Sequence, residues 1–145
     1  MARRIAVVVA GSLAAVAALH VVWAFSPWPF ADRAGFADAV VGVAEADLPS
    51  RPMVFAVATL LAVAAIVVAG RGRVVPPVGP AWVYRWGAWT VAAALLVRGL
   101  AGFGNAALAV GGTATYQRLD AAIYSPLCVL LALGAAVAAR GTLRR

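Results

Sequence analysis

Arg118-Leu119-Asp120-Ala121-Ala122-Ile123-Tyr124-Ser125-Pro126-Leu127-Cys128 decides how many times this chain crosses a membrane. The apolar run after it ends at Arg140. If the helix began at Pro126, only about 14 residues would precede that arginine, too few for a bilayer that needs roughly 20. If it begins at Asp120, the run to Ala139 is long enough. We therefore read 120–139 as a span, with Asp120 as its N-cap and a proline kink at Pro126. A carboxylate at that depth needs a polar partner, which makes Asp120 the first candidate site residue.

Working outward, three further runs have the same character. Ile5 to Phe25 is apolar except for Ser12 and His20, and it is too long for the core of a signal peptide. Pro27 also spoils the Ala24-Phe25-Ser26 cleavage candidate. Met53 to Ala69 is shorter, and Arg71 can snorkel to complete it. The third run, about 82–103, opens with Trp82, Tyr84, Arg85, Trp86 and Trp89, an aromatic belt of the kind that marks an interface. With 65% hydrophobic and 12% charged residues, the 145-residue chain is an all-α integral membrane bundle of four spans (5–25, 53–69, 82–103 and 120–139), forming one domain over 1–145.

The connectors complete the plan. Residues 26–52 hold four prolines and four of the five acids and lie outside the bilayer core. Within them, Asp32 to Glu45 carries Phe36, Val40 and Val43 at helical spacing. That fits a short interfacial helix anchored by Trp28 and Phe30, and a solvated acidic loop fits equally well. Residues 106–117, with Gly111-Gly112, read as a loop with an apolar first turn. Arg3, Arg4, Arg71, Arg73, Arg85, Arg140, Arg144 and Arg145 fall on one side without an acid, and all five acids accompany the other four arginines. The positive-inside rule places both termini in the cytoplasm of a bacterial plasma membrane.

This charge distribution explains the net +7 without nucleic acid, because no basic stripe interleaved with aromatics exists. Cys128 stands alone, so neither a disulfide nor a dithiol redox pair can form within the chain. The lone His20 supplies neither bis-histidine haem ligation nor a conventional zinc site, and the sequence calls for no metal or cofactor.

Depth counting brings the polar residues to one level. At about 1.5 Å per residue, His20 lies roughly 22 Å from the inner end of its span and Arg98 roughly 21 Å from Tyr84. Asp120 and Tyr124 enter from the outside at or just above that layer, and Asn105 closes span three. His20, Trp23, Arg98, Asn105, Asp120 and Tyr124 are therefore the candidate ligand-binding residues, with His20 and Asp120 the candidate catalytic pair. The leading expectation is a non-enzymatic protein whose cluster stabilises the bundle or binds an anionic or lipid-soluble small molecule. The alternatives are an enzyme using His20/Asp120 proton transfer on a lipid-soluble substrate, or a small transporter, which would work as a homo-oligomer because four spans enclose little space. Ser12 is roughly 12 Å along the helix from His20, too far for a nucleophile–base contact.

Leu19-His20-Val21-Val22-Trp23-Ala24, Arg98-Gly99, Leu119-Asp120 and, most specifically, Tyr124-Ser125-Pro126-Leu127-Cys128 carry a resemblance. With these segments the chain is similar to a bacterial family of small membrane proteins, domain of unknown function 3995. The resemblance spans nearly the whole chain and implies a helical membrane protein. It implies no substrate, cofactor or reaction.

Overall fold

The computed structural model describes residues 1–141, so the expected inner-side arginines Arg144 and Arg145 lie outside the described residues. Helix α1 (Ala2–Trp23) leads through a long loop containing the short α2 (Arg33–Phe36) to α3 (Arg51–Arg71). Helix α4 (Ala81–Leu108) follows, then α5 (Ala114–Leu119), a π-helical turn (Asp120–Tyr124) and α6 (Ser125–Arg140). The last three segments form one helical path, so four helical stretches are long and apolar enough to cross a membrane. Among the described residues there is no strand, and the chain is an all-α bundle of four candidate spans.

The spans pack as a ring, α1 against α3, α3 against α4, α4 against α6, and α6 back against α1. Their contact faces are built from small residues. Ala6, Val9, Ala10 and Leu13 of α1 meet Ala65, Val68 and Ala69 of α3, together with Leu131, Ala135 and Ala138 of α6. Small side chains let helix backbones approach closely where lipid supplies no hydrophobic drive for association. Leu60, Ile66, Leu100 and Leu130 point outward, as a lipid-facing surface requires.

Arg71, only 7% exposed, ties two spans together at the end of the bundle where the chain begins. Its Nε and Nη2 donate to the Ala139 carbonyl at 3.2 and 2.8 Å, and Nη2 also donates to the Gly141 carbonyl. These last-turn carbonyls have no partner within their own helix, so the guanidinium caps α6 from a neighbouring span.

The structure corrects three local expectations. Span three continues to Leu108, five residues beyond 103. Residues 114–119 are helical rather than loop, because Thr113 caps them, its Oγ1 accepting from the Tyr116 N–H at 3.2 Å. Asp120 is therefore not an N-cap but sits inside the helical path. The strain expected at Pro126 is met by the π-helical turn before it, in which Ser125 N–H bonds to Asp120 O five residues back. A wider turn relieves the clash a proline ring makes with the preceding turn of an α-helix.

A short helix is present in the loop between α1 and α3. Asp32 caps it, its Oδ1 accepting from Gly35 N–H at 2.7 Å, and it continues through a π-helical turn, Ala37–Val41, that ends at Gly42 in the left-handed region (φ 79°). Phe36 is buried while Asp32 and Arg33 face outward, as their spacing indicates.

Candidate functional site

Arg98 and Asp120 form an ion pair between α4 and the π-helical turn. Arg98 Nη2 reaches Asp120 Oδ1 at 2.9 Å and Nη1 reaches Oδ2 at 3.4 Å, a fork-to-fork arrangement. The Asp120 side chain is 2% exposed and that of Arg98 is 42% exposed, so the carboxylate is the buried partner. Ser125 Oγ donates to Asp120 Oδ1 at 3.1 Å, and Arg98 Nη2 donates to Tyr116 Oη at 3.0 Å. Among the described residues no buried side-chain nitrogen or oxygen lacks a partner. The cluster is thus a satisfied polar network that stabilises the bundle.

Glycine decides how closely α4 can approach this network. A Cβ at Gly102 would fall against Ser125 Oγ, 2.5 Å from Asp120 Oδ2 and 2.8 Å from Arg98 Nη1. One turn earlier, a Cβ at Gly99 would lie 2.7 Å from Val129 Cγ2 and 3.0 Å from the Ser125 carbonyl. The two glycines form the contact stripe that lets Arg98 reach across.

Tyr116 is the outer wall of the network. A Cβ at Gly42 would meet its ring at 2.7 Å, and one at Gly112 would meet it at 2.6 Å. Both glycines have positive φ (79° and 81°), so neither position accepts another residue without strain. The loop between α1 and α3 is pinned here by two side chains, as Thr113 Oγ1 donates to the Asp38 carbonyl at 2.8 Å and Tyr124 Oη to the Ala39 carbonyl at 3.2 Å. The Thr115 and Thr113 hydroxyls close to Asp38 hold its carboxyl below its ordinary value.

His20 and Trp23 belong to a different neighbourhood. His20 Nδ1 lies 2.8 Å from the Val16 carbonyl, so this nitrogen carries the proton and donates; in the neutral ring Nε2 is then the acceptor. The imidazole packs on Trp23 (5.1 Å between centroids), Trp23 on Phe36 (5.4 Å) and Phe36 on Phe30 (6.1 Å). Trp23 Nε1 already donates to the Trp28 carbonyl at 2.8 Å, so it offers a ligand only its ring face. His20, Trp23 and Phe36 line a cleft of about 470 Å³ between α1, α3 and the helix of the loop that joins them. Leu48, Met53, Val54 and Val57 supply its apolar wall and Arg33 lies at its lining.

Of the six candidate residues, Arg98 and Asp120 pair directly, and Tyr124 stands beside them through Tyr116, 6.3 Å between ring centroids. His20 and Trp23 share the cleft. Among the described residues no hydrogen bond joins His20 to Asp120, so the single cluster expected from depth alone resolves into two neighbourhoods touching the same helical segment of the loop between α1 and α3. Asn105 is exposed near the end of α4, where its carbonyl accepts from Val110 N–H at 3.0 Å. The sequence reading missed Ser125. Five residues along an α-helix is a turn of about 140° away from Asp120, and only the π-helical turn puts the two on one face. Tyr116 stood outside the six candidates, and its signal lay in Gly112 one helical turn before it.

Among the described residues no group of three or more histidine, cysteine, aspartate or glutamate side chains is placed to hold a metal. No curated protein and no solved structure matches the chain. The model of a protein family of unknown function, DUF3995, matches residues 13–135, which is most of the chain. That region holds the second and third candidate spans whole, most of the fourth, the second half of the first and the Arg98–Asp120 network, and the chain belongs to the DUF3995 family.

Proposed function

We propose that this is a non-enzymatic membrane protein, working as one domain over its whole length, that holds a lipid-soluble small molecule in the cleft beside His20. The Arg98–Asp120 network is its structural lock. The cleft carries this reading: its volume of about 470 Å³ falls in the range of small-molecule sites, and its wall is apolar and aromatic with few polar groups. His20 Nε2 supplies an acceptor for a hydroxyl or amide head, and Arg33, loosely paired with Glu45 at 3.8 Å, supplies positive charge for an anionic one. The enzyme reading has less support, because its proposed acid–base partner Asp120 is engaged by Arg98 and Ser125.

Purification in native-membrane nanodiscs, followed by mass spectrometry of co-purified small molecules, tests the proposal. One molecule should be enriched over bulk lipid with the native protein and with Arg98→Met, and lost with Val57→Trp, which fills the cleft. If the native protein and Val57→Trp carry the same molecules, the reading fails. The charge asymmetry of the sequence supports a threading with both termini in the cytoplasm. Labelling by an impermeant maleimide in a Cys128→Ala background should then reach Ala46→Cys from outside intact cells and Val78→Cys only after lysis.

A further inference from the structure

A second depression, of about 580 Å³, lies at the end of the bundle that holds the first residues of α1 and the last described residues of α6. Arg71, Arg85 and Arg140 line it together with Trp82, Trp86 and Trp89. Among the described residues that line it there is no aspartate or glutamate. Four of the chain's five acids sit in the loop between α1 and α3, at the other end, and Asp120 is held by Arg98. Arg71 is fixed in place by the α6 carbonyls through Nε and Nη2, and its Nη1 has no hydrogen-bond partner among the described residues.

The other two guanidiniums lie over indole rings, Arg85 at 5.5 Å from the Trp86 centroid and Arg140 at 5.7 Å from that of Trp89. Stacking occupies the face of a guanidinium and leaves its N–H edge to donate, in a fork that matches two oxygens of a phosphate. Tryptophan concentrates at the headgroup level of a bilayer, so these donors stand at the height of lipid phosphates. A zwitterionic headgroup would bring its own cation into a groove that already holds three. An anionic headgroup would balance them.

We propose that this groove binds an anionic phospholipid, with its phosphodiester held between Arg85 and Arg140. The site is independent of the outer cleft and of what that cleft holds.

Native mass spectrometry of the full chain, released from micelles doped with equal amounts of phosphatidylglycerol and phosphatidylcholine, tests it. The native protein should retain one phosphatidylglycerol in preference to phosphatidylcholine. Arg85→Gln/Arg140→Gln should weaken that retention by about fivefold per arginine removed. Arg3→Gln/Arg4→Gln, which removes equal charge outside the groove, should leave retention as in the native chain, and inorganic phosphate in large excess should not displace the lipid. Equal retention of both lipids by the native protein overturns the proposal without reference to any variant. So does an equal loss in the two double variants, which would mean diffuse charge attraction, or displacement by free phosphate, which would mean a simple anion site.

Discussion

Removing one member of the Arg98–Asp120 pair should cost very different amounts depending on which member goes. Arg98→Met keeps most of the stem's packing but leaves a carboxylate that is 2% exposed with only the Ser125 hydroxyl as a side-chain donor. Breaking a buried pair in this way costs about 3–5 kcal/mol, and the half-open position of the guanidinium brings the expected loss to about 2–4 kcal/mol. Asp120→Asn leaves a cation whose side chain is 42% exposed and which keeps Tyr116 Oη as a partner. Asparagine also still offers an acceptor, so its loss should be about 1 kcal/mol. The double variant should lose less than the sum, with a coupling of about 1 kcal/mol or more. Reversible unfolding in mixed micelles, titrated with sodium dodecyl sulfate and followed by the fluorescence of the five tryptophans, measures all three. Equal losses for the two single variants, or strictly additive ones, would refute the reasoning that the buried carboxylate depends on the arginine.

Three further outcomes follow from the same geometry. Gly102→Ala should cost about 1–3 kcal/mol in that assay, because its methyl must displace Ser125 Oγ or Asp120 Oδ2, whereas Gly104→Ala, which meets nothing within 4 Å, should be neutral or slightly stabilising. Arg71→Met should expose the end of α6, giving faster amide exchange at Ala138–Arg140, with Arg71→Lys restoring only part because one ammonium cannot reproduce the fork. Asp38 has a folded value below its ordinary 3.8, so its contribution is fully present above about that pH and is lost as the pH falls through the lower folded value. The amide chemical shifts of Thr113 and Thr115 should accordingly be constant from neutral pH to about 5 and move only below the ordinary carboxylate value, a step that Asp38→Asn should abolish.

Sequence alone determined the four spans, because a spanning length of apolar residues is a property of composition along the chain and the arginines and prolines mark its ends. It also determined the Arg98–Asp120 pair. Depth in a bilayer is one-dimensional and follows from counting residues at a fixed rise, and a buried carboxylate must find the nearest cation. What the count could not supply was direction around each helix. In a soluble bundle an apolar stripe reports the inward face, but in a membrane both faces are apolar, so periodicity is silent on where His20 or Tyr124 points. Only the tertiary structure decided that His20 turns to Trp23 and Phe36 while Asp120 turns to Arg98. It alone revealed the two π-helical turns, one of which carries Asp120 off the expected cap and onto one face with Ser125. That placement rests on contacts between residues far apart in the sequence: the Ala39 carbonyl receives the Tyr124 hydroxyl, the Asp38 carbonyl receives that of Thr113, and Gly102 leaves room for the network to close.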